Sequence, residues 1–170
     1  MRGRFFYTSL MNIWVCFAAV GLLLFPGSLK SETPSTSDEA TVRRLAADFI
    51  VAFNNLDWEK FRVFFDDNAT IFHPAQFPRR LAGRSEYEKA WLAVFDGIRT
   101  SSGRSKPPYM ELRPEDMEVQ LLNDVAIVTF HLNRGPNSLG RRTLVWRKSS
   151  QQWRIIHLHA SNVELAGDAP

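Results

Sequence analysis

The sequence predicts an α+β domain in which helices cover one face of an antiparallel sheet, and three observations carry that prediction. Val42, Leu45, Ala46, Phe49, Ile50 and Phe53 recur at spacings of three and four, as do Tyr87, Trp91, Val94, Phe95 and Ile98, so two stretches read as amphipathic helices. From Tyr109 onward the apolar period shortens to two, the mark of strands with one buried face. The length of 170 residues, 45% of them hydrophobic and 23% charged, leaves room for one core and an appendage. Helices first and strands afterwards is an α+β order, and helices on one face of an antiparallel sheet is its economical packing.

The appendage is the N-terminus. Arg2 and Arg4 precede an uncharged run over residues 5–29 whose centre, residues 13–25, is almost wholly apolar, so residues 1–31 read as an export segment. The small residues at 25–31 form no clean A-x-A site, and a span of about 20 apolar residues is reached only by counting Thr8, Ser9 and Asn12. Two fates stay open: a cleaved signal peptide, giving a secreted or periplasmic protein, or an uncleaved signal anchor holding it to a membrane through residues 5–29. Cys16, the single cysteine, lies inside the apolar run, so the domain beyond has neither disulfide nor thiol nucleophile.

Residues 32–37 read as a polar linker and residues 38–163 as the domain. Thr36-Ser37-Asp38-Glu39 is a capping box that opens the first helix, which Asn54-Asn55 ends. Asp57 caps a shorter helix bearing Trp58, Phe61, Phe64 and Phe65, an aromatic load that demands packing partners. A brief strand over 69–72 is stopped by His73-Pro74, because proline has no amide to give a ladder. After a loop, Ser85 and Glu88 form a second capping box for the third helix, and 101–108 is a connection. Strands are expected at 109–113, 117–122, 125–132, 141–148 and 153–161, with Asn123-Asp124 as a tight turn and 164–170 as a tail.

Charge excludes one class of partner. Arg2, Arg4 and Lys30 supply the whole formal charge of +3, leaving 18 basic against 18 acidic residues beyond them. A near-neutral domain lacks the clustered Lys and Arg that neutralise phosphates, so no nucleic acid is expected.

The series Asp66-Asp67-Asn68-Ala69-Thr70-Ile71-Phe72-His73-Pro74, Gly83-Arg84-Ser85, Thr143-Leu144-Val145-Trp146 and Trp153-Arg154-Ile155-Ile156-His157-Leu158-His159 resembles the SnoaL-like branch of the nuclear-transport-factor-2-like superfamily. The resemblance implies a cone: a curved antiparallel sheet with three helices packed on its concave face and one apolar pocket inside. The segment from Phe49 to Pro74 is similar to ketosteroid isomerases at Asn54, Asp57, Asp67, Ala69, Thr70 and Pro74. By that resemblance the general base falls on His73, while the family's oxyanion-donating tyrosine falls on Phe49 and its protonated aspartic acid on Leu144. Neither Phe49 nor Leu144 has a donor, and losing one typically costs about 2.7–4 kcal/mol of barrier, so ketosteroid isomerisation itself is not expected.

The C-terminal hairpin is similar to the association domain of calcium/calmodulin-dependent kinase II through Val145-Trp146, Trp153, Ile155, His157, His159 and Ser161. That family lines its pocket with arginines, whereas His131, Leu144 and Ala160 stand at the matching positions, which argues against a carboxylate site. Together the two resemblances imply a cavity faced by Phe49, His73, Tyr87, Phe95, His131 and Leu144, with Trp91 helping to close it.

Strand alternation puts Arg142, Leu144 and Trp146 on one face, and Ile156, Leu158 and Ala160 together on the last strand. His157 and His159 then lie opposite, beside Trp153 and Ile155, on an outer face where the resemblance implies a homodimer contact. Their spacing also suits a divalent metal, but such sites need three or four convergent ligands and no third is identifiable, so no metal or other cofactor is expected. Asp66-Asp67 reads as a turn, with Asp bonding its own backbone, rather than as a catalytic carboxylate pair. Arg141-Arg142 and Arg147-Lys148 read as solvated strand ends.

The functional expectation is an exported protein that binds a small, mostly apolar or carbonyl-bearing molecule. Its chemistry would be proton transfer of the cyclase, dehydratase or isomerase type, with His73 as base and His131 as donor. The alternative is a non-catalytic ligand-binding or assembly module.

Overall fold

A computed structural model of the protein describes residues 36–73 and 77–165. The expected export segment at 1–31, most of the linker and most of the tail lie outside the described residues. Among the described residues no helix is long and apolar enough to cross a membrane.

Helix α1 (Thr36–Asn55) buries the stripe of Val42, Ala46, Phe49 and Ile50. It ends in a left-handed turn at Leu56, φ 51°, where the amide of Asp57 donates to the carbonyl of Ala52 and that of Leu56 to Phe53. Glycine would adopt this conformation more readily, but Leu56 is itself buried and contributes to the core. The turn delivers Asp57 to cap helix α2 (Trp58–Arg62), its carboxylate accepting from the amide of Lys60 at 3.2 Å.

Helix α2 ends before Phe64 and Phe65. Phe65 instead opens strand β1 (Phe65–Phe72), which is longer than the sequence suggests because residues 65–70 form an irregular stretch. Strand β2 (Leu81–Ala82) pairs with β1 inside what reads as loop. Gly83, at φ 81°, then starts helix α3 (Arg84–Ser101). No side chain caps α3, so Ser85 is not the expected N-cap. It is Glu86 that reaches back, accepting from the amide of Ala82.

The strand expected at 109–113 is absent. That segment is clamped to the end of α1, since the amides of Tyr109 and Met110 donate to the carbonyl of Asn54, and the Asn54 side chain exchanges two hydrogen bonds with Leu112. A single strand β3 (Pro114–Leu122) follows, then β4 (Val125–Asn133) across the expected Asn123-Asp124 turn, β5 (Ser138–Ser149) and β6 (Gln152–Glu164).

These strands form one curved, open sheet in the order β2-β1-β6-β5-β4-β3. The sheet is mixed, not antiparallel throughout, because β1 and β6 run parallel. Parallel neighbours need a long crossover, and here α3 and the whole β3–β5 meander provide it. Phe61 joins the helices to the sheet: fully buried, its ring lies 5.0 Å from Phe49, 5.1 Å from Phe95, 5.2 Å from Trp91 and 5.3 Å from Phe65. One side chain of a five-residue helix thus touches α1, α3 and β1.

One irregularity changes which residues face the helices. Trp146 pairs with Ile155 and Val145 with His157, so Ile156 is the extra residue of a bulge in β6. Trp153 and Ile155 are therefore buried on the same face as Leu158 and Ala160, not on the histidine face as regular alternation requires. Ile156, His157 and His159 are all more exposed than these four.

Candidate functional site

Between α1, α3 and the inner face of β4, β5 and β6 lies a cavity of about 230 Å³. Its walls are almost wholly apolar, with Phe49 and Phe53 from α1, Trp91 from α3, and Phe130, Leu144 and Leu158 from the sheet. The Asn54 clamp positions Met110 and Leu112 as a further wall. Three side chains carry all its ionisable chemistry: His73, Arg142 and Arg134.

His73 follows the last residue of β1, and the strand delivers its ring against Trp91 at 5.4 Å and Phe77 at 5.6 Å. Burial, and then the charge of Arg142, hold its pKa below the usual imidazole value, so at neutral pH the ring is uncharged and able to accept a proton. Arg142 is half-buried, and its Nη1 donates to the carbonyls of Arg141 and Ser161, each at 2.9 Å. Burial, and then Arg134, push its pKa down to about 10, which leaves it cationic at neutrality.

Of the residues expected at the pocket, Phe49, His73, Trp91 and Leu144 line it together. Tyr87 and Phe95 do not. Tyr87 is fully buried behind the wall, its ring 5.3 Å from Phe65 and its hydroxyl donating to the carbonyl of Asp66. Burial raises its pKa, which keeps the phenol protonated. Phe95 is a core residue against Phe61, Phe53 and Trp58.

His131 is a correction. On β4 the buried residues are Ala126, Val128, Phe130 and Leu132, so His131 projects from the opposite face, where its Nδ1 stands 3.6 Å from Asp116. The pocket thus has one imidazole and two guanidinium groups, not two imidazoles. Arg142 was legible in part: it shares the inward parity of Leu144 and Trp146, yet its charge reads as a solvated strand end. Arg134 follows β4 in the connection to β5 and gives no sequence signal of its own.

On the outer face, His157 shares a 2.8 Å hydrogen bond between its Nδ1 and the hydroxyl of Thr70, and Phe72 packs against both His157 and His159. Burial lowers the His157 pKa, with smaller contributions from His159 and Arg80. Among the described residues no three potential metal ligands stand together. Asp66 makes the expected turn, accepting from the amide of Asn68 at 3.0 Å, while Asp67 pairs with Arg84.

A curved sheet of this order under helices, with an apolar cavity between the layers, defines the nuclear-transport-factor-2-like class of α+β proteins. The chain belongs to the SnoaL-like domain family, whose profile matches residues 42–165. Among solved structures it is similar to a nuclear-transport-factor-2-like protein of unknown function from Pseudomonas putida, at 21% identity, covering 76% of this chain and 89% of that one with a TM-score of 0.63. It is similar also to a candidate dehydratase of the same fold family from Streptomyces avermitilis, at 23% identity over 76% and 98% of the chains, TM-score 0.61. A third likeness is to a candidate ketosteroid isomerase from Parabacteroides distasonis, at 19% identity over 79% and 92%, TM-score 0.58. At these identities the likeness establishes the fold alone, and no curated protein matches the chain.

Proposed function

We propose that this SnoaL-like domain binds a small, mostly apolar molecule in the cavity under α1 and α3 and transfers a proton on it, with His73 as the base. The carrying observation is that His73 is the one imidazole among the described residues lining a largely apolar cavity, with its pKa held below the usual value by burial and by Arg142. A general base works best with a pKa near the operating pH, where the acceptor form is well populated and still basic. The fold neighbours described as a candidate dehydratase and a candidate ketosteroid isomerase both fall within this chemistry. The donors of a ketosteroid isomerase are lacking at Phe49 and Leu144, so the reading is proton transfer on a different substrate.

The base is tested with 5-nitrobenzisoxazole, a neutral apolar molecule opened by abstraction of a single proton. Turnover above that of an equal concentration of free imidazole is expected, and its loss in His73→Ala. Equal rates in the two proteins remove His73 from the role.

The reading includes export and pairing of two copies through the outer sheet face. The apolar run at 5–29 motivates the first. For the second, the half-buried Ile127 and Val145 lie on that face with Phe72, which is 40% exposed. Native mass spectrometry of the protein as purified from its host reads both: a subunit lacking about the first 31 residues and a doubled mass are expected. A full-length subunit overturns cleavage of the segment, a monomer overturns the pairing, and either leaves the pocket reading standing.

A further inference from the structure

The pocket contains a cation built into its wall, with no ion pair to an acid among the described residues. Arg142 lies on the inner face of β5 between Gly140 and Leu144, a position that Leu or Val would fill in a purely structural core. Its head is held in place. Two backbone carbonyls, of Arg141 and Ser161, accept from Nη1, and Gly140 leaves the space the head occupies. A Cβ at Gly140 would stand 3.2 Å from that same Nη1 and 3.2 Å from the Leu132 Cβ.

The anchoring uses one corner of the guanidinium. Nε and Nη2 form no hydrogen bond or ion pair among the described residues, and neither does the side chain of Arg134 at the rim of the cavity. The Nε–Nη2 edge is a planar fork of two parallel donors, the geometry that matches the two oxygens of a carboxylate. Arginine can only donate, so the complement of this site is an acceptor.

We propose that the ligand of the pocket is a monocarboxylate, its head held by the Nε–Nη2 edge of Arg142 with Arg134 above it and its apolar body lying along Phe49, Trp91 and Leu144. The proposal rests on the reading that this cavity binds a small molecule, and it names the class. A monoanion fits better than a phosphate dianion, because one half-buried charge faces the ligand and the second is at the solvent rim. At 230 Å³ the cavity is below the about 300–1,000 Å³ of drug-sized sites, so the body is short. The two arginines come from β5 and the β4–β5 connection, not from His131, Leu144 or Ala160, the positions that match the arginines of the kinase association domain.

Matched acid and alcohol pairs separate the head from the body. Isothermal titration calorimetry of the full chain with hexanoate against hexan-1-ol, and phenylacetate against 2-phenylethanol, should show the acids binding at least about tenfold more tightly, as a charge-assisted bidentate contact predicts. Arg142→Met should abolish that preference while alcohol affinity stays within about twofold, since the methionine keeps the apolar stem. Should Arg142→Met fail to fold by circular dichroism, Arg142→Lys and Gly140→Ala, which keep the charge but lose the fork or displace it, should each weaken acid binding selectively.

Alcohols binding as well as acids in the wild type, or an acid preference that survives these substitutions, overturns the carboxylate assignment and leaves the pocket in place. Failure of every acid and alcohol to bind overturns the pocket reading, and the carboxylate with it.

Discussion

Replacing Phe61 with alanine tests whether the helical layer is held by a single aromatic plug. The ring is fully buried and meets Phe49, Phe95, Trp91 and Phe65 at 5.0 to 5.3 Å, in stacked, tilted and edge-on arrangements. Truncating a buried Phe to Ala ordinarily costs about 3–5 kcal/mol, transfer and cavity terms together. Each well-placed aromatic pair adds about 0.5–1.5 kcal/mol beyond buried area, so the upper end of the range is expected here. The surrounding rings are large and come from three elements, so they collapse poorly into the void. A loss of about 4–5 kcal/mol is about a quarter or more of a typical domain stability of about 5–15 kcal/mol. Urea titration followed by circular dichroism reads it, with Val63→Ala as the neighbouring control. Val63 is 53% exposed and should cost no more than about 0.5 kcal/mol. A Phe61→Ala loss below about 2 kcal/mol, or one equal to the control, would refute the plug.

Stability should fall as pH drops from 7.5 to 5.5. His73 and His157 both have folded pKa values below the unfolded value of about 6.5, so the unfolded chain binds more protons there and stability present above that pH is lost progressively beneath it. The urea midpoint at the two pH values checks this, and the combined His73→Asn and His157→Asn protein should show a shallower drop; a wild-type midpoint unchanged at pH 5.5 contradicts it. Asn54→Ala should cost about 2 kcal/mol, from two half-buried hydrogen bonds to Leu112 at about 1 kcal/mol each, and should weaken hexan-1-ol binding because Met110 and Leu112 lose their anchor. Unchanged stability would show the clamp to be dispensable. Neutralising Arg142 should raise the His73 pKa, since the guanidinium charge is one of the two causes holding it down. The imidazole proton resonances of wild type and Arg142→Met, titrated by NMR, decide this, and a pKa that stays put or falls removes the coupling.

Much of the helical layer was readable because its signals are local. The stripe on α1, the Asp57 cap and the aromatic crowding of α2 each act within a few residues, and each is realised. What was not readable was set at long range. The parallel pairing of β1 with β6 joins residues such as Ile71 and Leu158, and nothing local in either strand specifies the direction of its neighbour. Segment 109–113 has strand-like composition but spends its amides on Asn54, so a tertiary hydrogen bond overrides propensity. At Gly83 a backbone turn opens α3, and a cap motif two residues later, Ser85 with Glu88, has no amide left to satisfy.

The pocket depended on parity, and there the chain held more information than the family resemblance. Along β4 one register is Ala126, Val128, Phe130, Leu132 and the other is Ile127, Thr129, His131. Burying the second set would place a threonine hydroxyl and an imidazole in an apolar layer and leave Phe130 to solvent, and an unpaired polar group alone costs about 1–3 kcal/mol. Hydrophobic patterning therefore fixes His131 outside by several kcal/mol, whatever a distant family carries at the matching position. On β5 the same reasoning meets Gly140, Arg142, Leu144 and Trp146, and it cannot turn Arg142 outward without also exposing Leu144 and Trp146. An arginine that a strand is compelled to bury has to be held by acceptors. The fold supplies two backbone carbonyls and a glycine to accommodate the head, but no carboxylate among the described residues. These arrangements orient the charge without neutralising it, and the carboxylate proposed for the cavity would supply the missing counter-charge.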